Sequence, residues 1–374
     1  MNKTENTMQN ILHDSMLSWL SSLRPGILNF LSELKDSSIP GYYKYSLTGD
    51  LFSPQIHWGL GNAVFAAKTY YMLNAVEETE AKSIVGFIKT FQVKDGSVYD
   101  KKVERLSRVQ RVVQAIRSRK INNLFNEQAR FGETRQSFAA MWSLGYRPDI
   151  PFLHIPYTRE GIEKYIRLLN WKSPWEASAV FNHILFFLHN NRKFFHVYEK
   201  ETDGLIDRAL KVLDSYKRED GAWYNDTDEI PDYQKVNGSM KIMIAYESVG
   251  RNDFLNPEGL IDICLSTVND GHACNNFNIV CVLYYCSRKT DYRMDEIKEF
   301  CLSRLEIYKK HYWPEHGGFS FFERHANGNY LGAKITRGLK EPDIHGTVLF
   351  LWGIILIVKV LGYDDETKFN IPFT

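Results

Sequence analysis

A chain of 374 residues, 44% of them hydrophobic and 14% aromatic, has ample material for a large buried core. Its net charge of +1 gives no electrostatic reason to expect nucleic acid as a partner. The first residues are polar and lack the apolar core of a signal peptide, and the five cysteines show no disulfide spacing. We therefore expect a cytoplasmic protein with reduced thiols.

Helical periodicity recurs along the chain, whereas strand signals are scarce. After a helical extension over about residues 1–40, six segments share one pattern: each opens with polar or small residues and continues as a mostly apolar helix. These segments cover residues 57–73, 133–145, 173–188, 235–250, 272–286 and 343–358. Amphipathic helices with a charged face, such as 204–220 and 293–312, lie between them.

The last apolar segment is too short to cross a membrane. From Val348 to Val358 it has about eleven apolar residues, whereas a transmembrane helix needs roughly 20. Asp343 precedes it after a proline and is the expected N-cap. The segment therefore predicts a buried helix, and we expect no membrane span.

Six apolar helices that alternate with amphipathic ones predict an all-α fold, an α/α toroid with two concentric rings of about six helices each. Residues 1–374 would form this single domain. Glycine turns at 92–98, 217–223 and 315–321 would end outer helices through a left-handed residue. The inner helices would all run in one direction, so the residues that open them would converge on one cavity. The positive ends of their dipoles would favour an anionic group there.

The residues that open the apolar helices are the candidate site. His345, Asp343 and Glu176 supply an imidazole and two carboxyl groups, the types used for acid–base catalysis. Cys274 adds a thiol at the start of another helix. Polar, charged or aromatic residues at or near the same openings are candidate substrate-binding groups: His57, Asn62, Glu133, Arg135, Trp175, Tyr233, Asn237, Lys241, Asn276 and Asn278.

Two further segments carry functional candidates. The glycine-rich segment 325–340 precedes the last apolar helix and contains Tyr330, Lys334 and Arg337, so it predicts a loop that clamps substrate at the cavity mouth. The segment 101–120 is strongly basic with interleaved valines, which is typical of an outer helix with a solvated cationic face. A phosphate-rich ligand or an acidic partner is the alternative for this segment.

The glycine turns carry a resemblance to a known family. KREDGAW at 217–223 and EHGGFSF at 315–321 resemble the Q-x-x-D-G-x-W and G-G-F repeats of the terpenoid cyclase and protein prenyltransferase β-subunit superfamily. The stretches 269–278 and 317–353 are similar to the zinc-bearing segments of protein prenyltransferases. The resemblance implies the toroid over most of the chain, and its motifs cover the last third.

The resemblance also implies zinc as a cofactor, with Asp270, His272, Cys274 and His345 as candidate ligands, and these groups suit zinc chemically. The sequence departs from the family pattern, because Asp270 lies four residues before Cys274. No aspartate-rich motif of the cyclases is matched. The nearest acidic strings are those at 226–229 and 362–368.

Three functions remain open from the sequence. The first is an enzyme of the terpenoid cyclase and prenyltransferase-like class that acts on a ligand with an anionic group, such as an isoprenyl diphosphate. The second is a carbohydrate-active toroid enzyme, a lyase, epimerase or hydrolase, that uses carboxylate and histidine groups on an oligosaccharide. The third is a non-catalytic binding module. Each places a small molecule or oligosaccharide in a central cavity, and none names a protein partner.

Overall fold

The computed structural model describes residues 3–118, 128–226 and 229–374, and these are mainly helical. The fourteen helices in the described residues are α1 Lys3–Leu34, α2 Leu60–Met72, α3 Glu78–Lys89, α4 Lys101–Ser118, α5 Gln128–Ser143, α6 Arg159–Arg167, α7 Pro174–Phe195, α8 Thr202–Asp214, α9 Asp232–Ser248, α10 Pro257–Ser266, α11 Ala273–Ser287, α12 Met294–His311, α13 Ile344–Leu361 and α14 Asp364–Thr367. This confirms the all-α class.

Two short antiparallel hairpins are the strands in the described part of the chain. In the first, β1 Tyr312–Trp313 pairs with β2 Gly318–Phe319. In the second, β3 Asn329–Tyr330 pairs with β4 Ala333–Lys334, within the glycine-rich segment before α13. The second hairpin packs on α4. It therefore lies beside the helix that carries much of the basic segment, of which residues 119 and 120 fall outside the described ranges.

The six apolar segments of the sequence form α2, α5, α7, α9, α11 and α13, and these helices contact one another in a closed circuit. Each packs against the next one, and α13 packs against α2. Amphipathic helices cover this circuit from outside: α3 lies on α2, α8 on α7, α10 on α11, and α12 on α13. The apolar helices thus have neighbours on several sides, which explains why they lack a continuous polar face.

Two neighbouring pairs of helices in the circuit, α2 with α13 and α5 with α7, each run in the same direction. The Phe65 ring stacks on His345, and one turn further along α2 the Lys68 ammonium lies over Trp352, two turns further along α13. On the α5–α7 pair, a Cβ added at Gly132 would meet His183, and later in both helices Trp142 stacks on Phe194. The contacts advance together along both members of each pair, so both pairs are parallel.

Asp343 is the N-cap of α13, as the sequence predicted. Its side chain accepts a hydrogen bond from the Gly346 backbone N–H, and its backbone is extended. The turn glycines Gly96, Gly221 and Gly317 have φ values of 85°, 81° and 78°, in the left-handed region that the turn motifs predicted. Local sequence signals therefore fixed both the start of this helix and the connecting turns.

Of the helices in the described residues, α13 is long and apolar enough to cross a bilayer, and 72% of its 18-residue apolar window is buried within the protein. The helix is longer than the apolar run from Val348 to Val358, because it also takes in the residues that flank that run. Its contacts with α2, α11 and α12 account for the burial. It is therefore a core helix.

Candidate functional site

The six-helix circuit encloses a cavity of about 440 Å³. Every helix of the circuit contributes side chains to its wall, and one residue from each is Lys68, Arg135, His183, Lys241, Cys274 and His345. Ser107 of α4 and Leu331 of the second hairpin also line it. The volume is in the range of pockets that hold small organic ligands. Of these six residues, Arg135, Lys241, Cys274 and His345 were candidates from the sequence.

Three cationic side chains face this cavity, and no acidic residue is among the described residues that line it. Lys68 donates a hydrogen bond to the side-chain oxygen of Gln136. Arg135 has its Nε and Nη1 groups buried with no partner among the described residues. The Lys241 ammonium makes no hydrogen bond or ion pair with the described chain. The described wall of the cavity therefore carries three basic side chains and no Asp or Glu side chain, and Thr374, the last residue of the sequence, also lines it.

Burial and mutual repulsion lower the pKa values of these basic side chains. Burial lowers the pKa of Lys241 to about 8, and nearby Arg135 adds to the lowering. Burial also lowers the pKa of Arg135 to about 10 and that of Lys68 well below its usual value. Arg135 and Lys241 repel the charge on Lys68. A bound anion would oppose both effects, because it would supply the missing counter-charge.

His345 lines the same cavity and is surrounded by aromatic rings. Its ring stacks on Phe65 with centroids 4.6 Å apart, and Phe321 and Tyr330 also contact it. Burial lowers the pKa of His345 to about 3, with smaller contributions from His272 and Lys241. The imidazole is therefore neutral and only weakly basic at physiological pH, and it can accept a hydrogen bond at one ring nitrogen and donate one from the other.

The other proposed catalytic groups are less available to a ligand. The Asp343 carboxylate accepts hydrogen bonds from the backbone N–H groups of Phe321, Asn327 and Gly346, so it stabilises the local backbone. The Cys274 thiol lines the cavity, but burial raises its pKa to about 11, which keeps it protonated. Glu176 is exposed and lies outside the cavity wall.

The candidate zinc ligands do not come together as a metal site. In the ranges that the structure describes, no group of three or more His, Cys, Asp or Glu side chains is placed to hold a metal ion. Asp270 is exposed, and the His272 ring stacks on Phe321. The residues present therefore do not fit a zinc ion, and we derive no chemical step through one.

The predicted amide ligands make hydrogen bonds within the protein, and two of them, Asn237 and Asn278, bond to each other. The Oδ1 atom of Asn237 accepts hydrogen bonds from Asn269 at 3.3 Å and from Asn278 at 2.8 Å. The Nδ2 group of Asn276 donates to the backbone oxygens of Asp270 and His272. Asn278 alone of the predicted asparagines lines the cavity. The density of amides in the sequence therefore reflects an internal network that joins α9 to α11.

The remaining predicted site residues divide between the cavity wall and other places. Trp175 and Tyr330 line the cavity, as do Arg135 and Lys241. Six others do not line it. Asn62 donates a hydrogen bond to the Tyr43 backbone oxygen, and Glu133 accepts one from the Asp100 backbone N–H. The His57 ring stacks on Phe91, and the side chains of Tyr233, Lys334 and Arg337 are exposed.

Sequence reasoning missed Lys68 and His183. Both stand inside otherwise apolar helices, α2 and α7, and both are buried. Burial lowers the pKa of His183 well below its usual value, and repulsion from Arg135 and Lys241 contributes. The signal was present, since a charged or titratable residue within a buried apolar helix is costly without a partner.

Comparison of the chain with family models, with curated proteins and with solved structures gave no match. A functional assignment therefore depends on the chemistry of the cavity.

Proposed function

We propose that this protein is an α/α toroid enzyme of the terpenoid cyclase and prenyltransferase-like class, which binds a ligand with an anionic group and an apolar body, such as an isoprenyl diphosphate. The observation that carries the proposal is the charge of the cavity. Lys68, Arg135 and Lys241 face a space whose described lining contains no Asp or Glu side chain.

The toroid is supported by the closed circuit of six apolar helices, by the parallel direction of α2 with α13 and of α5 with α7, and by the amphipathic helices packed on the circuit. In such a ring, the axis is the natural place for a ligand, because it is the one region that all six helices share. The turns around Gly221 and Gly317 adopt the left-handed conformation that the repeat motifs of this class require.

The anionic group of the ligand would bind to the three cations. A buried, unpaired cation destabilises a folded protein, so a cluster of three is costly unless something binds there. Arg135 has two buried N–H groups free, and a guanidinium matches the oxygens of a phosphate or carboxylate in a bidentate geometry. Two lysines beside it suit a group with more than one negative charge, of which a diphosphate is the simplest example.

The apolar body of the ligand would lie against the remaining wall. Phe65, Trp175, Phe277 and Trp352 line the cavity, with aliphatic side chains between them. Sugar-binding sites present several free hydroxyl and amide partners, whereas here Asn237 and Asn276 are satisfied internally. The wall therefore favours a hydrocarbon body over an oligosaccharide.

His345 would be the group that transfers a proton. Trp352, whose ring lies under the Lys68 ammonium, is seven residues after His345 on α13, so this ammonium lies about 10 Å further along the helix axis than the imidazole. A ligand held by its anionic end would therefore place a part of its body, rather than the anion, beside the neutral imidazole. The Cys274 thiol would lie at the same level, in the first turn of α11.

The test is a thermal-shift and calorimetric comparison of farnesyl diphosphate, inorganic pyrophosphate and an acidic oligosaccharide. We expect farnesyl diphosphate to bind most tightly and to stabilise the protein by about 3 kcal/mol at a hundredfold excess over its Kd. Arg135→Met should abolish this stabilisation. Arg159→Met, which changes an exposed arginine outside the cavity, should leave it intact.

Two outcomes would overturn the proposal. Selective stabilisation by the oligosaccharide would favour the carbohydrate-active enzyme. No stabilisation by any of the three probes would remove the anion site, and with it the argument for this class of enzyme.

A further inference from the structure

Helix α4 has apolar side chains on its outward face. Val109, Val112 and Val113 are 58%, 40% and 41% exposed. Their spacing of three and four residues places them on one side of the helix. On the opposite side, Val103 and Ser107 are buried against the rest of the protein. The three exposed valines are therefore an apolar face that the protein leaves in contact with solvent.

Cationic side chains share this face. Lys101, Arg105 and Arg108 are exposed and precede the valines at intervals of three, four or seven residues along the same side. Arg108 also pairs with Glu104, one turn earlier. We call the six residues Lys101, Arg105, Arg108, Val109, Val112 and Val113 the α4 outer face. Valines interleaved with cations match the boundary between anionic lipid headgroups and acyl chains.

The α4 outer face lies on the side of α4 that is opposite to the cavity. Ser107, on the inner side of α4, lines the cavity. Leu331, at the tip of the second hairpin, also lines it and is 39% exposed. A Cβ added at Gly332 would meet the Ser107 side chain at 3.6 Å, so hairpin and helix are in contact. A surface bound to the outer face of α4 would therefore be separated from the cavity by this one helix.

We propose that the α4 outer face docks this protein on an anionic lipid bilayer. The cations would bind the lipid phosphates and carboxylates, and the valines would enter the interface between headgroups and acyl chains. Docking itself does not depend on the proposed function. If the proposed function holds, docking would also bring the protein to its ligand. An amphipathic anion partitions into bilayers and would enter the cavity from the side that is docked on the membrane.

The experiment is co-sedimentation of the full chain with vesicles of phosphatidylcholine alone or mixed with phosphatidylserine. We expect binding to the mixed vesicles, weak or no binding to the neutral ones, and loss of binding as salt is raised. Arg105→Glu should weaken binding at least fivefold, since each cation near an anionic surface contributes roughly that factor. Val109→Asp with Val113→Asp should weaken it further, because the apolar contact is also lost.

A matched control is Val268→Asp, which changes a valine that is 81% exposed but lies away from α4. This variant should bind the mixed vesicles like the parent protein. The proposal is overturned if the parent does not bind anionic vesicles at low salt, or if the valine variants bind as well as the control. Binding of the parent to an acidic protein without any binding to vesicles would point to a protein partner instead, and would also overturn it. None of these readouts needs a ligand in the cavity.

Discussion

The Tyr45 hydroxyl lies 3.0 Å from Nδ1 of His345, although 300 residues separate them in the chain. Tyr45 is fully buried, and burial raises its pKa well above the usual value, so the hydroxyl keeps its proton. This hydrogen bond fixes one ring nitrogen of the imidazole. Nε2 makes no hydrogen bond with the described part of the chain and remains available to a ligand in the cavity.

The first prediction concerns this pair. His345→Ala should cost about 1–3 kcal/mol of unfolding free energy, because it leaves the buried Tyr45 hydroxyl without a partner. Tyr45→Phe keeps the ring but removes the hydroxyl, and with it the hydrogen bond to His345. It should cost about 0.5–1.5 kcal/mol of unfolding free energy. Urea unfolding measures both. His57→Ala, at an exposed histidine, should change stability by less than about 0.5 kcal/mol.

If His345 transfers a proton, His345→Ala should also abolish turnover in the fraction that remains folded. A His345→Ala protein that is destabilised but fully active would refute the catalytic role of this histidine while leaving its packing role intact.

The second prediction concerns pH. The folded pKa of Lys241 is about 8, against 10.5 in a free side chain. Between these values the unfolded chain binds the proton and the folded chain does not, so stability rises with pH across this interval. The buried Lys241 ammonium destabilises the folded protein in full below pH 8, and this destabilisation is relieved as the pH approaches 10.5.

Lys241→Met removes this titration. The unfolding free energy of the parent minus that of the variant should therefore increase as the pH is raised from below 8 toward 10.5, as measured by urea unfolding at a series of pH values. A difference that stays constant over this interval would show that the lysine is solvated in the folded protein.

The third prediction separates the asparagine network from the ligand site. Asn237→Ala should cost about 1–3 kcal/mol, because the buried Nδ2 group of Asn278 loses its acceptor. Differential scanning calorimetry would measure the loss. Asn170→Ala, at an exposed position, should have little effect. A stable Asn237→Ala protein that no longer binds farnesyl diphosphate would instead place this residue in the binding site.

The fourth prediction concerns the close approach of α13 to the first hairpin. A Cβ at Gly346 would lie 2.5 Å from the Phe321 backbone nitrogen and 2.6 Å from the Ser320 carbonyl carbon. These are backbone atoms that cannot move aside, so Gly346→Ala should destabilise the protein by several kcal/mol or prevent folding, as expression and urea unfolding would reveal.

The control for this position is Gly86→Ala in α3, where an added Cβ meets nothing within 4 Å. It should stabilise the protein by about 0.5–1 kcal/mol through helix propensity. Equal effects of the two alanines would contradict the steric argument.

The sequence alone determined the class of fold and the local events within it. Periodicity predicted the apolar and amphipathic helices, and the observed bounds of α7, α11 and α13 begin within one residue of the predicted segments. Asp343 as N-cap and the left-handed turn glycines were also predicted, because caps and turns depend on residues a few positions apart. These interactions are short-range, so sequence neighbours suffice to specify them.

Only the tertiary structure decided which polar residues share the cavity. Arg135 and His183 come from different helices, and whether a helix face points to the cavity or to a neighbouring helix depends on its rotation within the circuit. Asn237 and Asn276 were expected to bind substrate, yet their partners lie on adjacent helices or in a preceding loop. The sequence shows that a polar group is costly to bury, whereas the structure shows which partner, if any, compensates that cost.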